Sequence, residues 1–155
     1  DITLAETLED AVADAPVITL VTNSTQPFLT SDMVTPGAHI NAMGAIVLAR
    51  SEFSTDIFPR CDLVAVDNPA TIQSISSEFR DYYGDDEERW NEVATVASLI
   101  EDDITRPAAA DLTLFKAMGM GLSDMALAVD ILARAREQGL GHKVPERIKT
   151  PPRLI

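Results

Sequence analysis

Polar side chains and glycine follow two short apolar segments of the sequence. Residues 22–25 (Thr-Asn-Ser-Thr) come after the apolar run 17–21, and residues 41–45 close the run that begins at His39. Hydroxyls, an amide and exposed backbone at the carboxyl ends of strands suit a neutral group that needs hydrogen bonds, such as a carboxamide or a ribose. Ordinary turn chemistry is the alternative, because Asn, Ser and Thr are common in loops. The spacing alone leaves both interpretations open.

The other candidate side chains form no catalytic or metal-binding pattern. His39 stands alone in a predicted strand, where a satisfied core or edge histidine is the better interpretation, and His142 is expected on the surface. Two distant histidines and one cysteine lack the spacing of a zinc site, so no metal is predicted. No G-x-S-x-G segment is present for a nucleophilic serine. Cys61 precedes an apolar strand and is predicted to be a buried structural thiol.

Glycines at residues 118–121 (Met-Gly-Met-Gly) precede the clearest helix of the sequence. Their backbone could approach an anion at the helix N-terminus. Two glycines without a third do not make a phosphate loop, and close packing of the helix on a strand is the preferred interpretation. A G-x-G-x-x-G loop, which would hold the phosphates of a dinucleotide, occurs nowhere in the chain.

Composition restricts the class of protein and of partner. The net charge of −13 argues against nucleic acid or an anionic membrane as a partner, since both need a basic surface. With 155 residues, of which 46% are hydrophobic, the chain has the size and core of one domain. The single cysteine excludes an internal disulfide framework and indicates a cytoplasmic setting. No apolar run is long enough for a membrane helix. The start at Asp1 suggests a piece of a longer protein.

Helical and apolar segments alternate along the chain. Thr3-x-x-Glu6 has the spacing of a capping box and predicts a helix that ends before Pro16. Asn68-Pro69 predicts the start of another helix. Strands are predicted at 17–21, 39–43, 62–67 and 112–115, a helical turn at 50–60, an amphipathic helix through 90–100 and a long helix from 122 to 139. The inward stripes are Ile72, Ile75, Ser76 and Phe79, and in the long helix Leu122, Met125, Ala126, Val129, Leu132 and Ala133.

This order of elements is typical of an α/β fold with a doubly wound, mostly parallel sheet. Such sheets bind ligands outside the carboxyl ends of their strands. Because the phosphate loop is missing, we expect the sheet to lack the first βαβ unit of a nucleotide-binding domain. Residues 3–138 are assigned to a partial dinucleotide-binding domain. Residues 139–155 are expected to form a tail that packs on a neighbouring surface or a missing domain.

Four segments, in the same order, resemble the ornithine cyclodeaminase / mu-crystallin family. "TPGAHINAMGA" is similar to its P-G-x-H-I-N-x-x-G signature, and "EDAVADAPVITLVTNSTQPFL" to its helix and strand that end in T-x-S. "SEFSTDIFPRCDLVAVD" resembles its R-E-L-D segment with the strand that follows. "DLTLFKAMGMGLSDMALAVDILARAREQGLG" resembles its T-x-F-x-x-x-G strand and long helix. The resemblance runs from about residue 8 to residue 143.

The resemblance implies a Rossmann-like domain that binds NAD or NADP, in an enzyme that acts on amino or imino acids. The common chemistry of the family is hydride exchange between nicotinamide and a carbon that bears an amine or imine. By position, the resemblance places five residues on the nicotinamide side: Thr22, Asn23, Ser24, Met43 and Gly44. It places Arg50 where the family often carries a lysine near the cofactor.

Two positions depart from the family pattern. Cyclodeaminases of the family carry an aspartate as acid/base two residues after the signature glycine, and this chain has Ile46 there. An isoleucine side chain cannot transfer a proton. The serine of the family's F-x-S-x-G segment corresponds to Ala117. Both differences count against cyclodeamination, and the catalytic residue stays unassigned.

The predicted function is part of an NAD(P)-dependent oxidoreductase of ketimine reductase or amino-acid dehydrogenase type, with a small amino or imino acid as partner. The alternatives are a catalytically silent member that binds NAD(P) or another small ligand, an ornithine cyclodeaminase with an altered acid/base, and a structural α/β domain completed by another chain. A half sheet exposes an edge, so we expect a homo-oligomer. Residues 1–155 alone are expected to be inactive and to bind dinucleotide weakly or not at all.

Overall fold

The computed structural model describes residues 2–145 and contains one sheet of five parallel strands in the order β1-β2-β5-β3-β4. The strands are β1 Val17–Leu20, β2 Ala38–Ala42, β3 Cys61–Val66, β4 Val93–Thr95 and β5 Leu112–Lys116. The predicted parallel α/β fold is thereby confirmed, with four of the strands where the apolar runs indicated them. One face of the sheet is buried in the core, and the other is more accessible, as the alternation along β1 shows: Ile18 and Leu20 are buried, and Val17 and Thr19 are exposed.

The register of the sheet brings the ends of all five strands into one line. Leu20 pairs with Ala42, Ala42 with Lys116, Lys116 with Val66, and Val66 with Thr95. Because the strands are parallel, the loops that leave these five residues meet at the same edge of the sheet. We call this the carboxyl edge.

The described residues also contain six α-helices and two 3-10 helices, of which α1 precedes the first strand and α6 follows the last. The α-helices are α1 Leu8–Val12, α2 Pro69–Ile75, α3 Ser77–Tyr83, α4 Glu87–Trp90, α5 Val96–Glu101 and α6 Gly121–Glu137. The 3-10 helices are Ser31–Met33 and Thr55–Arg60, the second within the predicted helical turn. The Asn68 side chain accepts a hydrogen bond from the Thr71 amide, so the predicted cap of α2 is confirmed.

The predicted capping box at Thr3 is wrong. The side chain of Thr7 caps α1 instead, accepting a hydrogen bond from the Asp10 amide at 3.1 Å. Thr7 and Asp10 have the same three-residue spacing as Thr3 and Glu6, and the burial of Val12 favours the later start. The helix ends at Val12, ahead of Pro16, and Asp14 takes a positive φ of 55° in the turn that follows.

The amphipathic helix predicted through residues 90–100 is confirmed only from residue 96 onwards. Val93–Thr95 forms β4, which pairs with Val64–Val66 at the edge of the sheet, and α5 starts only afterwards. Thr95 ends the strand and caps α5 in a capping box with Ser98. The three residues of β4 are too few to show the alternation of a strand, so the apolar spacing of residues 90–100 predicts one helix.

The segment after Asn68 contains two helices, α2 and α3, separated by the extended backbone of Ser76. Its inward stripe packs as predicted, since Ile72, Ser76 and Phe79 are buried and Ile75 packs against the core. Rings next to the stripe complete the core, with centroids 4.9 Å apart for Phe58 and Phe79 and 5.0 Å apart for Tyr83 and Trp90. These contacts fix α3 in place below the carboxyl edge.

The chain divides into two compact units, Asp1–Gly119 and Met120–Ile155. The second unit contains α6, whose helical prediction is confirmed. Its predicted inward stripe is exposed, and the large apolar side chains of α6 are 50–79% accessible. The predicted division at residue 138 stays a prediction, and residues 146–155 of the predicted tail lie outside the described residues. No helix within residues 2–145 has the length and apolarity needed to cross a membrane.

Candidate functional site

The turns after β1 and β2 lie against each other at the carboxyl edge. The Met43 amide donates a hydrogen bond to the Leu20 carbonyl at 2.8 Å, which continues the pairing beyond the strands. One residue later, at Gly44, the backbones of the two turns come into close contact. A Cβ atom on Gly44 would lie 2.4 Å from both the N and the O atom of Thr22. Glycine is therefore required here by close approach of the neighbouring backbone.

The side chain that joins the two turns is Glu52, which is fully buried. Its Oε1 accepts hydrogen bonds from the amide and the hydroxyl of Thr22, at 2.6 and 2.7 Å. Its Oε2 accepts from the amides of Gly44 and Ala45, at 2.8 and 3.1 Å. One carboxylate thus spans the ends of β1 and β2. We call Glu52 with the turns 22–24 and 43–45 the clamped turns.

Glu52 is ionised at neutral pH despite its burial. Burial raises the pKa of a carboxyl group, but the hydrogen bonds from Thr22, Gly44 and Ala45 outweigh it and lower the pKa of Glu52 below its ordinary value. Four donors to a carboxylate stabilise its charge within the protein. The sequence interpretation included Glu52 in a family segment but assigned it no role. Its partners lie 7 to 30 residues away, so local patterns could not reveal them.

A second buried carboxylate supports the first. The Glu52 amide donates to Oε1 of Glu78 at 3.0 Å, and the Ser76 hydroxyl donates to Oε2 of Glu78 at 2.9 Å. The Nζ atom of Lys116, at the end of β5, lies 3.8 Å from the same Oε2. Burial lowers the pKa of Lys116, and the negative charges of Glu78 and Glu52 oppose that shift. Among the described residues Lys116 Nζ has no hydrogen-bond partner, and the Glu78 carboxylate is the anion that lies next to it.

Arg50 forms a hydrogen bond with the first turn, residues 22–24. Its guanidinium donates to the Asn23 carbonyl, and its own carbonyl accepts a hydrogen bond from the Ser77 hydroxyl at 2.7 Å. The next residue continues this pairing, because the Ser51 amide donates to the Ser24 carbonyl at 3.2 Å. The position of Arg50 is therefore fixed at both its side chain and its backbone.

The structure brings the residues of the predicted cofactor site together at one edge. Thr22, Asn23 and Ser24 form the first turn, Met43 and Gly44 begin the second, and Arg50 contacts the first. The side chains of Asn23 and Met43 are exposed, Met43 at 40%. Ile46 is also exposed, at 46%, and Ala117 is buried. These residues therefore lie close together, and their contact with a cofactor stays a prediction.

The turn at residues 118–119 binds a carboxylate of the chain itself, and the predicted packing of the long helix on a strand stays a prediction. Gly119 has a positive φ of 82°. The amides of Met118 and Gly119 both donate to Oδ2 of Asp67 at 2.9 Å. The anion at this turn is the chain's own carboxylate, which joins the ends of β3 and β5.

His39 has the satisfied surroundings predicted for it, whereas Cys61, predicted to be buried, is only half-buried. Both ring nitrogens of His39 have partners, with Nδ1 2.8 Å from the Thr113 hydroxyl and Nε2 3.1 Å from Oδ1 of Asn41. Burial raises the pKa of the Cys61 thiol to about 12, so it stays protonated near neutral pH. Its Sγ donates to the Ile57 carbonyl at 3.4 Å. Neither side chain is placed as a nucleophile.

Comparison with known proteins shows which family the sequence belongs to. The sequence matches the ornithine cyclodeaminase/mu-crystallin family over residues 1–139. The ketimine reductase mu-crystallin of Macropus fuliginosus is 31% identical over 129 residues, which cover 83% of this chain and 38% of that protein. The ornithine cyclodeaminase of Brucella suis is 31% identical over 148 residues, which cover 90% of this chain and 38% of that protein. The chain spans less than half the length of these relatives.

A solved structure shares the fold. The iminosuccinate reductase of Paracoccus denitrificans, crystallised in complex with NAD+, superposes with a TM-score of 0.74 and 26% sequence identity, over 90% of this chain and 43% of that chain. The predicted family is therefore confirmed, and this chain belongs to the ornithine cyclodeaminase/mu-crystallin family.

Proposed function

We propose that this chain forms the nicotinamide-facing part of an NAD(P)-dependent oxidoreductase that acts on amino or cyclic imino acids. The observation that carries the proposal is the pair of clamped turns. They present backbone and the side chains of Asn23 and Met43 at the aligned carboxyl ends of a parallel sheet, where α/β folds bind their ligands. The related reductase bound to NAD+ supports the same cofactor class.

The groups at this edge fit a nicotinamide. Its carboxamide has one acceptor and two donor positions, and the exposed Asn23 side chain offers both kinds of partner. Its ring is apolar on both faces, and the exposed Met43 side chain can pack against it. Neither side chain carries a charge that would favour the oxidised or the reduced ring. When bound, the nicotinamide supplies or accepts the hydride.

The chemistry of this chain favours reduction of an imine over cyclodeamination. Reduction adds a hydride to the imine carbon, and the protonated imine already carries the proton that the product amine keeps. Orientation by the cofactor pocket is then the main requirement. Cyclodeamination also needs a group that moves protons on and off the substrate nitrogen. Ile46 cannot do so, and within the described residues Glu52 is closed off by its four donors.

Deuteride transfer tests this proposal. The full-length protein is incubated with 4-deuterated NADH or NADPH and a panel of five- and six-membered cyclic imines that carry a carboxylate. We expect one deuterium at the carbon of the former C=N bond, measured by mass spectrometry. Cofactor binding without transfer to any imine would favour the second candidate, a silent NAD(P)-binding member. Ile46 and Ala117, which replace reactive residues of the family pattern, are the observations in favour of that candidate.

Assembly of the chain with copies of itself is a further part of the proposal. Among the described strands β1 pairs only with β2, so its outer edge is unpaired, and Val17 on it is 57% exposed. Unpaired edges favour association. Light scattering of residues 1–155, in which this edge is unpaired, is expected to give a mass of at least two chains. A monomer at micromolar concentration would contradict this expectation.

A further inference from the structure

Every polar atom of Glu52 is bound, and each binds a different part of the fold. The carboxylate holds Thr22 with one oxygen and Gly44 and Ala45 with the other. The Glu52 carbonyl accepts the amides of Phe28 and Leu29 at 3.2 and 3.1 Å. The Glu52 amide donates to Glu78 on α3. One residue thus connects both clamped turns to the loop after β1 and to the helical layer.

The geometry points to Glu52 as the positioning residue of the nicotinamide-facing edge. We infer that its carboxylate sets the separation and orientation of the turns 22–24 and 43–45 through three backbone amides and the Thr22 hydroxyl, without touching a ligand. The inference rests on the proposed function, because it names the residue that prepares that site. Glu52 is fully buried, so the bound cofactor meets the turns and not the carboxylate.

A negative charge is needed at this position for a geometric reason. Each carboxylate oxygen faces only donors, namely the amide and hydroxyl of Thr22 on one side and two amides on the other. An isosteric glutamine would turn its NH2 group towards one of these sides. Facing Gly44 and Ala45, the NH2 would oppose two backbone donors. Facing Thr22, it would oppose one amide, while the hydroxyl could rotate to accept. We therefore expect Glu52→Gln to release the turn at Thr22.

The chain offers a matched control for this substitution. Oδ2 of Asp56 accepts hydrogen bonds from the amide and the hydroxyl of Ser31, at 3.2 and 2.8 Å, which is the pattern that Thr22 makes with Glu52. This contact joins the two 3-10 helices Ser31–Met33 and Thr55–Arg60. Asp56 is exposed whereas Glu52 is buried, so Asp56→Asn controls for the loss of a hydrogen-bonded negative charge outside the clamped turns. An effect seen in Glu52→Gln alone then belongs to the carboxyl edge.

The experiment compares two ligands that differ only in the nicotinamide. The full-length wild type, Glu52→Gln and Asp56→Asn are titrated with NADH and with ADP-ribose, or with NADPH and 2′-phospho-ADP-ribose if the wild type prefers the phosphorylated cofactor. We expect Glu52→Gln to weaken the dinucleotide about tenfold, since it loses a charge-assisted hydrogen bond of the site. Binding of ADP-ribose is expected to change by less than about twofold, and Asp56→Asn to change neither. Amide hydrogen exchange at Thr22 is expected to become faster in Glu52→Gln alone.

Three results would overturn the inference. Wild-type affinity for the dinucleotide in Glu52→Gln would show that the turns keep their positions without the charge. An equal loss for the dinucleotide and for ADP-ribose would show that Glu52 only supports the fold. A wild type that binds neither NADH nor NADPH would refute the proposed function, and the cofactor role of Glu52 with it. This last result is distinct from the other two because it appears without any substitution.

Discussion

Glu52 and Gly44 are complementary in shape: a Cβ atom on Gly44 would lie 2.3 Å from Oε1 of Glu52. The absence of a side chain at one residue is what lets the carboxylate of the other reach both turns. The site therefore depends on a pair of residues, of which one contributes charge and the other contributes space.

Gly44→Ala is expected to destabilise the protein by about 1–3 kcal/mol, because the added methyl group overlaps the backbone of Thr22 as well as Glu52. Urea unfolding at pH 7 measures the loss. Gly121→Ala is the control, since a Cβ there meets no atom within 4 Å among the described residues and Gly121 has no positive φ. Alanine in the first turn of α6 is expected to leave stability unchanged or slightly raised. Equal effects of the two substitutions would contradict the close approach at Gly44.

The contribution of Glu52 to stability is expected to depend on pH. Its pKa is lower in the folded protein than the ordinary value of 4.5, because the hydrogen bonds to its charged form outweigh burial. The contribution is therefore fully present above pH 4.5 and is lost as the pH falls through the folded pKa. Glu52→Gln should cost about 1–3 kcal/mol at pH 7, and the difference from wild type should shrink below pH 4.5. Urea unfolding of both proteins between pH 7 and pH 3 measures this, and a constant difference would argue against the lowered pKa.

Lys116 and Glu78 are expected to be strongly coupled. Lys116→Met leaves the buried carboxylate of Glu78 without its cation and should destabilise the protein by about 3–5 kcal/mol. Glu78→Gln in the same chain removes the remaining charge. The glutamine keeps an acceptor for the Glu52 amide and gains a donor for the Ser76 hydroxyl. The double variant should therefore be more stable than Lys116→Met alone. A double-mutant cycle from urea unfolding gives the coupling, and additive effects would mean that the two charges do not interact.

Wild-type protein is expected to release no ammonia from L-ornithine in the presence of NAD+, because Ile46 cannot act as an acid or base. A coupled glutamate dehydrogenase assay on the full-length protein measures this. Ile46 is 46% exposed, so Ile46→Asp is expected to change the free energy of unfolding by no more than about 0.5 kcal/mol and serves as a folded comparison. Ammonia release by the wild type would return cyclodeamination to the candidate functions.

Local sequence patterns were sufficient for most of the sheet. The apolar runs that became β1, β2, β3 and β5 are short, rich in branched side chains and bounded by turn residues, and these properties belong to each run by itself. β4 was missed because Val93–Thr95 becomes a strand only by pairing with Val64–Val66, and this pairing is a tertiary contact. The start of α1 was displaced by one turn because two Thr-x-x-acid spacings compete there.

The sequence predicted the turns of the site but not the buried charged residues that hold them. Polar residues and glycine at strand ends marked the turns, and the family resemblance gave them an expected ligand. Glu52, Glu78 and Lys116 were not assigned because charged residues are normally exposed, and only their contacts in the fold show that they are buried. Their burial depends on partners that are distant in sequence, such as Thr22 for Glu52 and Glu78 for Lys116.

The Glu78 carboxylate has a mechanical consequence, because it stands on α3 and holds the backbone of Glu52. Any displacement of α3 must be transmitted through Glu52 to both turns at once. Phe79, the next residue on α3, packs against Phe58 in the core. A change of ring size at Phe58 would therefore shift α3, and through Glu78 and Glu52 it would change the spacing of the two turns at the carboxyl edge.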